Sequence, residues 1–282
     1  MWCGGCIRSS LGRVEESRES GVGSQGAPGC CGLAIPRVRL PTPDSRLLTL
    51  MRIAIIGNGK MAKAVADLAT ERGHTIHTVV HRLENAAGGA LTKERLTGAD
   101  VAVEFTQPDA AVANLERLIE LGIPTVTGTT GWTDALPRLT ALVGKREATL
   151  LHSPNFSVGV HLFFRAAREL ARSFRGRTEF VVSILEEHHA SKVDAPSGTA
   201  LLLQRQLWSE EPGRRFPITS IRAGTSPGTH TVSYDGSHET VTLSHVAKGR
   251  QAFAAGALAA AEWLPGHTGV FTFEQMLFGE TT

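Results

Sequence analysis

Arg52-Ile53-Ala54-Ile55-Ile56-Gly57-Asn58-Gly59-Lys60-Met61-Ala62 runs a short β-branched segment directly into a G-x-G-x-x-A turn. An apolar run without polar alternation suits a strand buried on both faces, as in a parallel sheet. Gly57 permits a tight turn, Gly59 lets a pyrophosphate approach the backbone, and Ala62 is small enough for close helix–strand packing. Asn58, Lys60 and Met61 complete the loop. Residues 60–72 then place Met61, Val65, Leu68 and Ala69 at helical spacing and stop at Gly73. A helix starting there turns its free N–H groups toward phosphate. The motif alone equally fits a tight turn in another doubly wound protein. A strand before it and a βαβ unit behind it favour a dinucleotide.

Working outward, strands are expected at 75–80, 101–105, 124–127 and 149–152, alternating with helices at 110–121 and 136–145. That alternation predicts a parallel, doubly wound α/β sheet. After Asn155 the texture changes. A long amphipathic helix over 158–173 precedes a strand at 180–186 and a helix at 197–208. Strand-like runs follow at 218–223, 230–234 and 239–245, with turns at Gly224, Gly228 and Gly236, so this half reads as a mixed or antiparallel α+β sheet. An Ala-rich helix over 250–263 and a segment over 269–277 close the chain.

The chain has 282 residues, 41% hydrophobic and 20% charged, the composition of a globular protein with room for two cores. Residues 1–50 carry six Arg against three Glu and one Asp, which accounts for the whole formal charge of +2. The body is therefore neutral and offers no footprint for nucleic acid. No apolar run reaches membrane-span length. All four cysteines, Cys3, Cys6, Cys30 and Cys31, lie in the first 50 residues, and their spacing does not suit zinc, so no metal is expected. That segment is rich in Gly, Ser, Arg and Pro and reads as a disordered or non-native extension ahead of Met51.

The second strand ends in Val79-Val80-His81-Arg82. No carboxylate stands there to hold the ribose hydroxyls of NAD, whereas Arg82 suits a 2′-phosphate and His81 can stack or add charge. NADPH is expected to serve at least as well as NADH.

The densest chemistry is Glu186-Glu187-His188-His189-Ala190-Ser191-Lys192-Val193-Asp194-Ala195-Pro196-Ser197-Gly198-Thr199-Ala200. Imidazoles exchange protons near neutral pH, lysine adds a cation, and a Pro-Ser-Gly-Thr turn opening a helix suits a carboxylate. Together they describe a site for a small, multiply charged acid, the alternative being a solvated polar loop. This H-H-x-x-K-x-D-A-P-S-G-T-A run closely resembles the dihydrodipicolinate reductase (4-hydroxy-tetrahydrodipicolinate reductase) family. Other resemblances follow in order. Glu104-Phe105-Thr106-Gln107-Pro108 is similar to the family's D-F-T-x-P, with Glu for Asp. Gly128-Thr129-Thr130-Gly131 resembles its G-T-T-G loop, and Ser153-Pro154-Asn155-Phe156-Ser157 its hinge segment. Arg222, Gly224, Gly228 and His230 resemble its R-x-G-x-x-x-G-x-H-x-V run, and His245 through Ala257, including Arg250, its H-x-A-x-x-R-x-x-F-A-x-G-A. The cofactor loop is one residue shorter than the family's usual G-x-x-G-x-M-G.

The resemblance implies an NAD(P)H-dependent reduction of 4-hydroxy-tetrahydrodipicolinate with loss of water, in the diaminopimelate route to lysine. It makes His188 the acid and Lys192 its partner, with His189, Ser197, Gly198 and Thr199 on the substrate's carboxylates. Phe105, Thr106, Gly128, Thr129, Thr130, Ser153, Pro154, Asn155, Phe156 and Arg250 would join the glycine loop, His81 and Arg82 around the cofactor. It implies a Rossmann-type nucleotide domain of residues 51–155 plus 248–282 and an inserted substrate and oligomerisation domain of residues 156–247. A cytoplasmic homotetramer is expected. The alternatives are another two-domain NAD(P)-dependent dehydrogenase, against which the His-His-x-x-Lys block argues, and a non-catalytic NAD(P)-binding sensor, against which retention of His188 and Lys192 argues.

Overall fold

A computed structural model describes residues 49–279; the reading of the N-terminal extension and its cysteines lies outside them. Strand β1 (Arg52–Ile56) leads through the glycine loop into helix α1 (Lys60–Glu71) and strand β2 (Thr75–Val80). Two 3-10 turns and a short helix α2 (Lys93–Leu96) follow, none of which the sequence pattern announces. The alternation continues through β3 (Val101–Glu104), α3 (Pro108–Glu120), β4 (Thr125–Thr127), α4 (Leu136–Arg146) and β5 (Thr149–His152). Observed and expected spans differ only at their ends.

Then come α5 (Val158–Ser173), β6 (Val181–His188), α6 (Gly198–Glu210), β7 (Ile218–Arg222), β8 (Thr229–Asp235), β9 (Thr240–Val246) and α7 (Gln251–Trp263). The closing segment consists of two elements, β10 (Gly269–Thr272) and α8 (Phe273–Phe278). Thr272 ends the strand and caps the helix, its side chain accepting from Gln275 N while Gln275 returns the bond to Thr272 N.

The first sheet has the order β10-β5-β4-β3-β1-β2 and is parallel throughout. Strand order runs outward in both directions from the β1–β3 pair, which puts a topological switch point beside the Gly57 loop. The second sheet, β7-β6-β8-β9, is mixed: β6 pairs parallel with β7 and antiparallel with β8. Each sheet has its own core. Ile53, Ile55, Val101, Val103 and Val126 pack with Ala254, Ala257, Ala260 and Ala261 of α7. Val160, Phe163, Ala167, Ile184, Leu203, Val232 and Tyr234 form the second core.

The small residues of α7 serve close approach. A Cβ on Gly256 would stand 1.8 Å from the carbonyl oxygen of Phe156, so only glycine lets this helix meet the loop joining the two sheets. Helix α7 thereby returns the chain to the first sheet. No helix among the described residues is long and apolar enough to cross a membrane.

Candidate active site

The glycine loop has the form a pyrophosphate requires. Gly57 has φ +115°, and a Cβ there would lie 2.1 Å from the carbonyl oxygen of Phe105, so a side chain is excluded by conformation and by contact. Gly59 is the N-cap of α1 with no side-chain cap, and a Cβ on it would meet nothing within 4 Å. The first-turn N–H groups of a twelve-residue helix therefore face open space, which fits a bound dinucleotide phosphate. Lys60 and Met61 open that helix, with Asn58 exposed before them.

The loops at the carboxyl ends of β3, β4 and β5 border this opening. Thr106 N–H donates to Thr129 Oγ1 (2.8 Å), and Gly128 N–H to the Glu104 carbonyl (3.0 Å). The fully buried Glu104 carboxylate accepts from Thr127 Oγ1 (2.6 Å) and Thr106 Oγ1, tying two strand ends together. Thr130 is exposed in the same loop. Ser153 Oγ donates to the Asn155 carbonyl at 2.6 Å, and Asn155 Oδ1 accepts from Ser157 N–H at 2.8 Å. Phe156 differs from its expected role. Its ring is buried between Phe105 and Phe273, which leaves only its backbone for a ligand.

At the end of β2, His81 caps a 3-10 turn with Glu84, and Glu84 pairs with Arg95 at 2.8 Å. The hydrogen bond from Arg95 is the main cause of a Glu84 pKa of about 2. Arg82 is exposed, with Nη1 2.5 Å from Gln107 Oε1 and Nη2 3.3 Å from Asp109. Arg250 is exposed at the N-cap of α7.

The second half of the site is built from side chains. A cleft of about 210 Å³ is lined by Pro154, Asn155, His188, Thr199, Gly228, His230, His245 and Phe253, among others, drawing on both sheets' surroundings. A wider hollow of about 460 Å³ beside Phe180, Arg214 and Pro217 holds none of these histidines, and the smaller cleft carries the chemistry. Strand β6 alternates, with Val182, Ile184, Glu186 and His188 turned inward. His188 Nδ1 is hydrogen-bonded to Glu186 Oε2. Glu186 Oε1 accepts from Arg222 Nη2 (2.6 Å) and from Ser197 N–H (3.2 Å). Burial acts to raise the Glu186 pKa, but hydrogen bonds from Arg222, Ser220, His188 and Ser197 N–H outweigh it and hold the carboxyl at about 2. Burial lowers the His188 pKa, with Glu186 opposing it. His230 lies edge-on to His188 at 5.2 Å and contacts Ser197 Oγ at 3.2 Å; burial, then the neighbouring His188, bring its pKa to about 4.

The remaining residues of the block stand slightly apart. Lys192 Nζ pairs with Asp194 Oδ1 at 2.6 Å, and the Asp194 carboxylate also accepts from Gly198 N–H. Lys192, expected as the partner of His188, and Gly198, expected on a substrate carboxylate, are thus both engaged by a carboxylate of the chain itself. His189 Nδ1 bonds Ser191 Oγ at 2.8 Å. Ser197 Oγ caps α6 by accepting from Ala200 N–H, and Thr199 lines the cleft. Among the described residues, buried Arg222 Nε and His245 Nδ1 have no partner, and of the two residues His245 lines the cleft.

Glu186, Arg222, His230 and His245 were not named as site residues from sequence. Their signal was strand alternation, which turns Glu186 toward the core two residues before His188. A carboxylate there needs a paired cation. Register supplies the rest, since Glu186 is opposite His230, and His188 opposite Arg222.

A phosphate-ready switch point beside a cleft of histidines and a buried carboxylate is the arrangement of a nicotinamide-dependent oxidoreductase. Residues 51–156 match the family pattern "Dihydrodipicolinate reductase, N-terminus", and residues 159–277 match "Dihydrodipicolinate reductase, C-terminus". A 4-hydroxy-tetrahydrodipicolinate reductase of Christiangramia forsetii is 35% identical, the match covering 80% of this chain and 98% of that protein. One from Myxococcus xanthus is 34% identical over 86% of this chain and 91% of that protein. The solved structure of a dipicolinate-bound dihydrodipicolinate reductase from Paenisporosarcina sp. TG-14 superposes with a TM-score of 0.64 at 23% identity, covering 81% of this chain and all of that one, a likeness of fold. The chain belongs to the dihydrodipicolinate reductase family. It is an NAD(P)H-dependent oxidoreductase that reduces 4-hydroxy-tetrahydrodipicolinate.

Proposed function

We propose that the reduction takes place in the cleft around His188, with His188 as proton donor. The observation that carries this reading is the His188–Glu186 bond. An ionised carboxylate only accepts hydrogen bonds, so Nδ1 carries the proton and Nε2 is the nitrogen left for the reaction. A Cβ on Gly228 would lie 2.9 Å from that Nε2, which places it at the cleft-lining turn. Once bound, the reduced nicotinamide supplies the hydride. His188 supplies the accompanying proton as water leaves the ring. In the free protein, burial favours neutral His188. A doubly negative substrate restores the imidazolium by its charge.

A substrate carboxylate takes the place of Asp194 against Lys192 and the start of α6, where the helix dipole also favours an anion. His189, Ser197 and Thr199 flank that position. The glycine loop holds the pyrophosphate, and Arg82 the 2′-phosphate when NADPH binds. Asp109 and Gln107 compete for Arg82, so the margin over NADH is modest.

The same reading divides the chain into a nucleotide domain of residues 51–155 plus 248–282 and a substrate domain of residues 156–247, consistent with the two cores. The outward face of the second sheet exposes Val181, Leu185, Ile221 and Val246, which supports association into a homotetramer through that face. Equilibrium sedimentation checks it, and Leu185→Lys is expected to reduce the mass. A cytoplasmic location completes the proposal, checked by fractionation.

The acid role is tested by steady-state turnover of His188→Gln with the cyclic dicarboxylate. A loss of ~10²–10⁴-fold is expected, and wild-type turnover removes His188 from the mechanism.

A further inference from the structure

We infer that Glu186 is a positioning residue for the reduction: it sets the tautomer of His188 and locks that ring to the turn that receives the substrate. This rests on the acid role proposed for His188. Three elements converge on one buried carboxylate. Oε2 takes Nδ1 of His188 on the same strand. Oε1 takes Arg222 Nη2 from β7 and the Ser197 N–H at the head of α6. Arg222 Nη2 reaches on to the Asp194 carbonyl at 2.5 Å, so the loop carrying Lys192 is tied to the same group. Glu186 is fully buried and touches no space open to a ligand, which makes its action indirect.

The titratable and charged groups facing His188 are Glu186 on its own strand, Arg222 on β7, His230 on β8 and Lys192 in the following loop. Glu186 alone is anionic, and it alone favours the imidazolium that an acid requires. Arg222, Lys192 and burial all oppose it.

Glu186→Gln separates this role from a structural one. Its amide has one oxygen and one NH₂ group for the existing partners. Arg222 and Ser197 N–H can only donate, so they retain the oxygen, while the Ser220 hydroxyl can donate or accept and adapts to either group. His188 can change tautomer, so it receives the NH₂, accepts at Nδ1 and moves its proton to Nε2. The fold keeps its bonds while the ring loses its anion and its orientation of protonation. A carboxylate that orients a catalytic histidine is worth at least ~10-fold and up to ~10⁴-fold in turnover.

The experiment measures kcat and substrate KM against pH for wild type, Glu186→Gln, Glu186→Asp and His188→Gln, with nicotinamide affinity and assembly size as controls. Expected for Glu186→Gln is a fall in kcat of at least ~10-fold at unchanged cofactor affinity. Activity that needs a protonated His188 is lost as pH rises through its pKa. Removing the anion lowers that pKa, so the loss moves to lower pH. Glu186→Asp keeps the charge and is expected to return the limb toward the wild-type position. Imidazole ¹⁵N shifts of the wild type are expected to show neutral His188 protonated at Nδ1, a reading that stands even if Glu186→Gln fails to fold. An Nε2–H tautomer in the wild type, or an unmoved limb in folded Glu186→Gln, overturns the inference. If His188→Gln keeps turnover, the acid role itself fails. If His188→Gln is inactive while Glu186→Gln keeps its limb, only the role of Glu186 fails.

Discussion

The two halves of this site are made of different materials. On the parallel sheet the ligand surface is backbone: Gly57, the uncapped start of α1, and strand-end loops tied by Thr106, Thr129 and Glu104. On the mixed sheet it is side chains, gathered around one ionised carboxylate at Glu186. The backbone site tolerates no added atom at Gly57, and with no ionisable group at its centre it responds little to pH. Charge-coupled sites tolerate conservative changes of shape but respond to every proton. On the proposed reading, binding energy for the cofactor and control of the reaction's proton fall on separate parts of the chain.

Substitutions that break this contrast rank by what they disturb. Gly57→Ala is expected to have the largest effect on cofactor affinity, because it adds a clash at 2.1 Å to a φ of +115°. Left-handed strain alone costs about 1–3 kcal/mol, and the steric term adds to it. Titration calorimetry with NADPH is expected to show a loss of at least ~10-fold, and an unchanged affinity would show that the loop does not hold the cofactor. Gly256→Ala is expected to lower stability by about 1–3 kcal/mol through overpacking against Phe156, read as a shift in the urea midpoint, with the kinetic pH profile unmoved.

The charged half makes an acid-stability prediction. The Glu186 pKa is depressed from 4.5 to about 2 in the folded protein. Its contribution is therefore complete above about pH 4.5 and lost as pH falls toward 2, of order 3 kcal/mol in all. Glu186→Gln is expected to flatten that part of the stability profile. A profile that stays parallel to wild type would place the acid sensitivity elsewhere. The narrowest expected effect, confined to one cofactor, is at Arg82. Arg82→Ala should weaken NADPH binding by about 1–3 kcal/mol and leave NADH nearly unchanged. Equal losses for both cofactors would contradict the 2′-phosphate role.

The same division decided what could be read from the chain. The parallel sheet was legible nearly to the residue, since buried β-branched runs and helical spacing act locally. Ser197 was legible as a helix start because capping is local too. Glu186 was passed over because a carboxylate beside a histidine looks like a solvated strand end until its pairing with Arg222 and His230 is known. Both pairings depend on strands more than 30 residues away. The engagement of Lys192 by Asp194 was likewise hidden, because the motif spacing does not say which carboxylate a lysine will meet. Phe156 was assigned to the cofactor with its loop, whereas its ring packs against Phe273 from the far end of the chain. The closing segment carried no assignment to helix or strand because a four-residue strand and a six-residue helix are each too short for their periods to show.

The central claim, that cofactor binding and proton delivery reside in separate halves, is tested most directly by measuring NADPH affinity and single-turnover hydride transfer together in Gly57→Ala and His188→Gln. The expected result is a double dissociation: Gly57→Ala loses affinity but approaches wild-type transfer at saturating NADPH, while His188→Gln keeps affinity and loses transfer by ~10²-fold or more. Parallel loss of both quantities in either variant would contradict it.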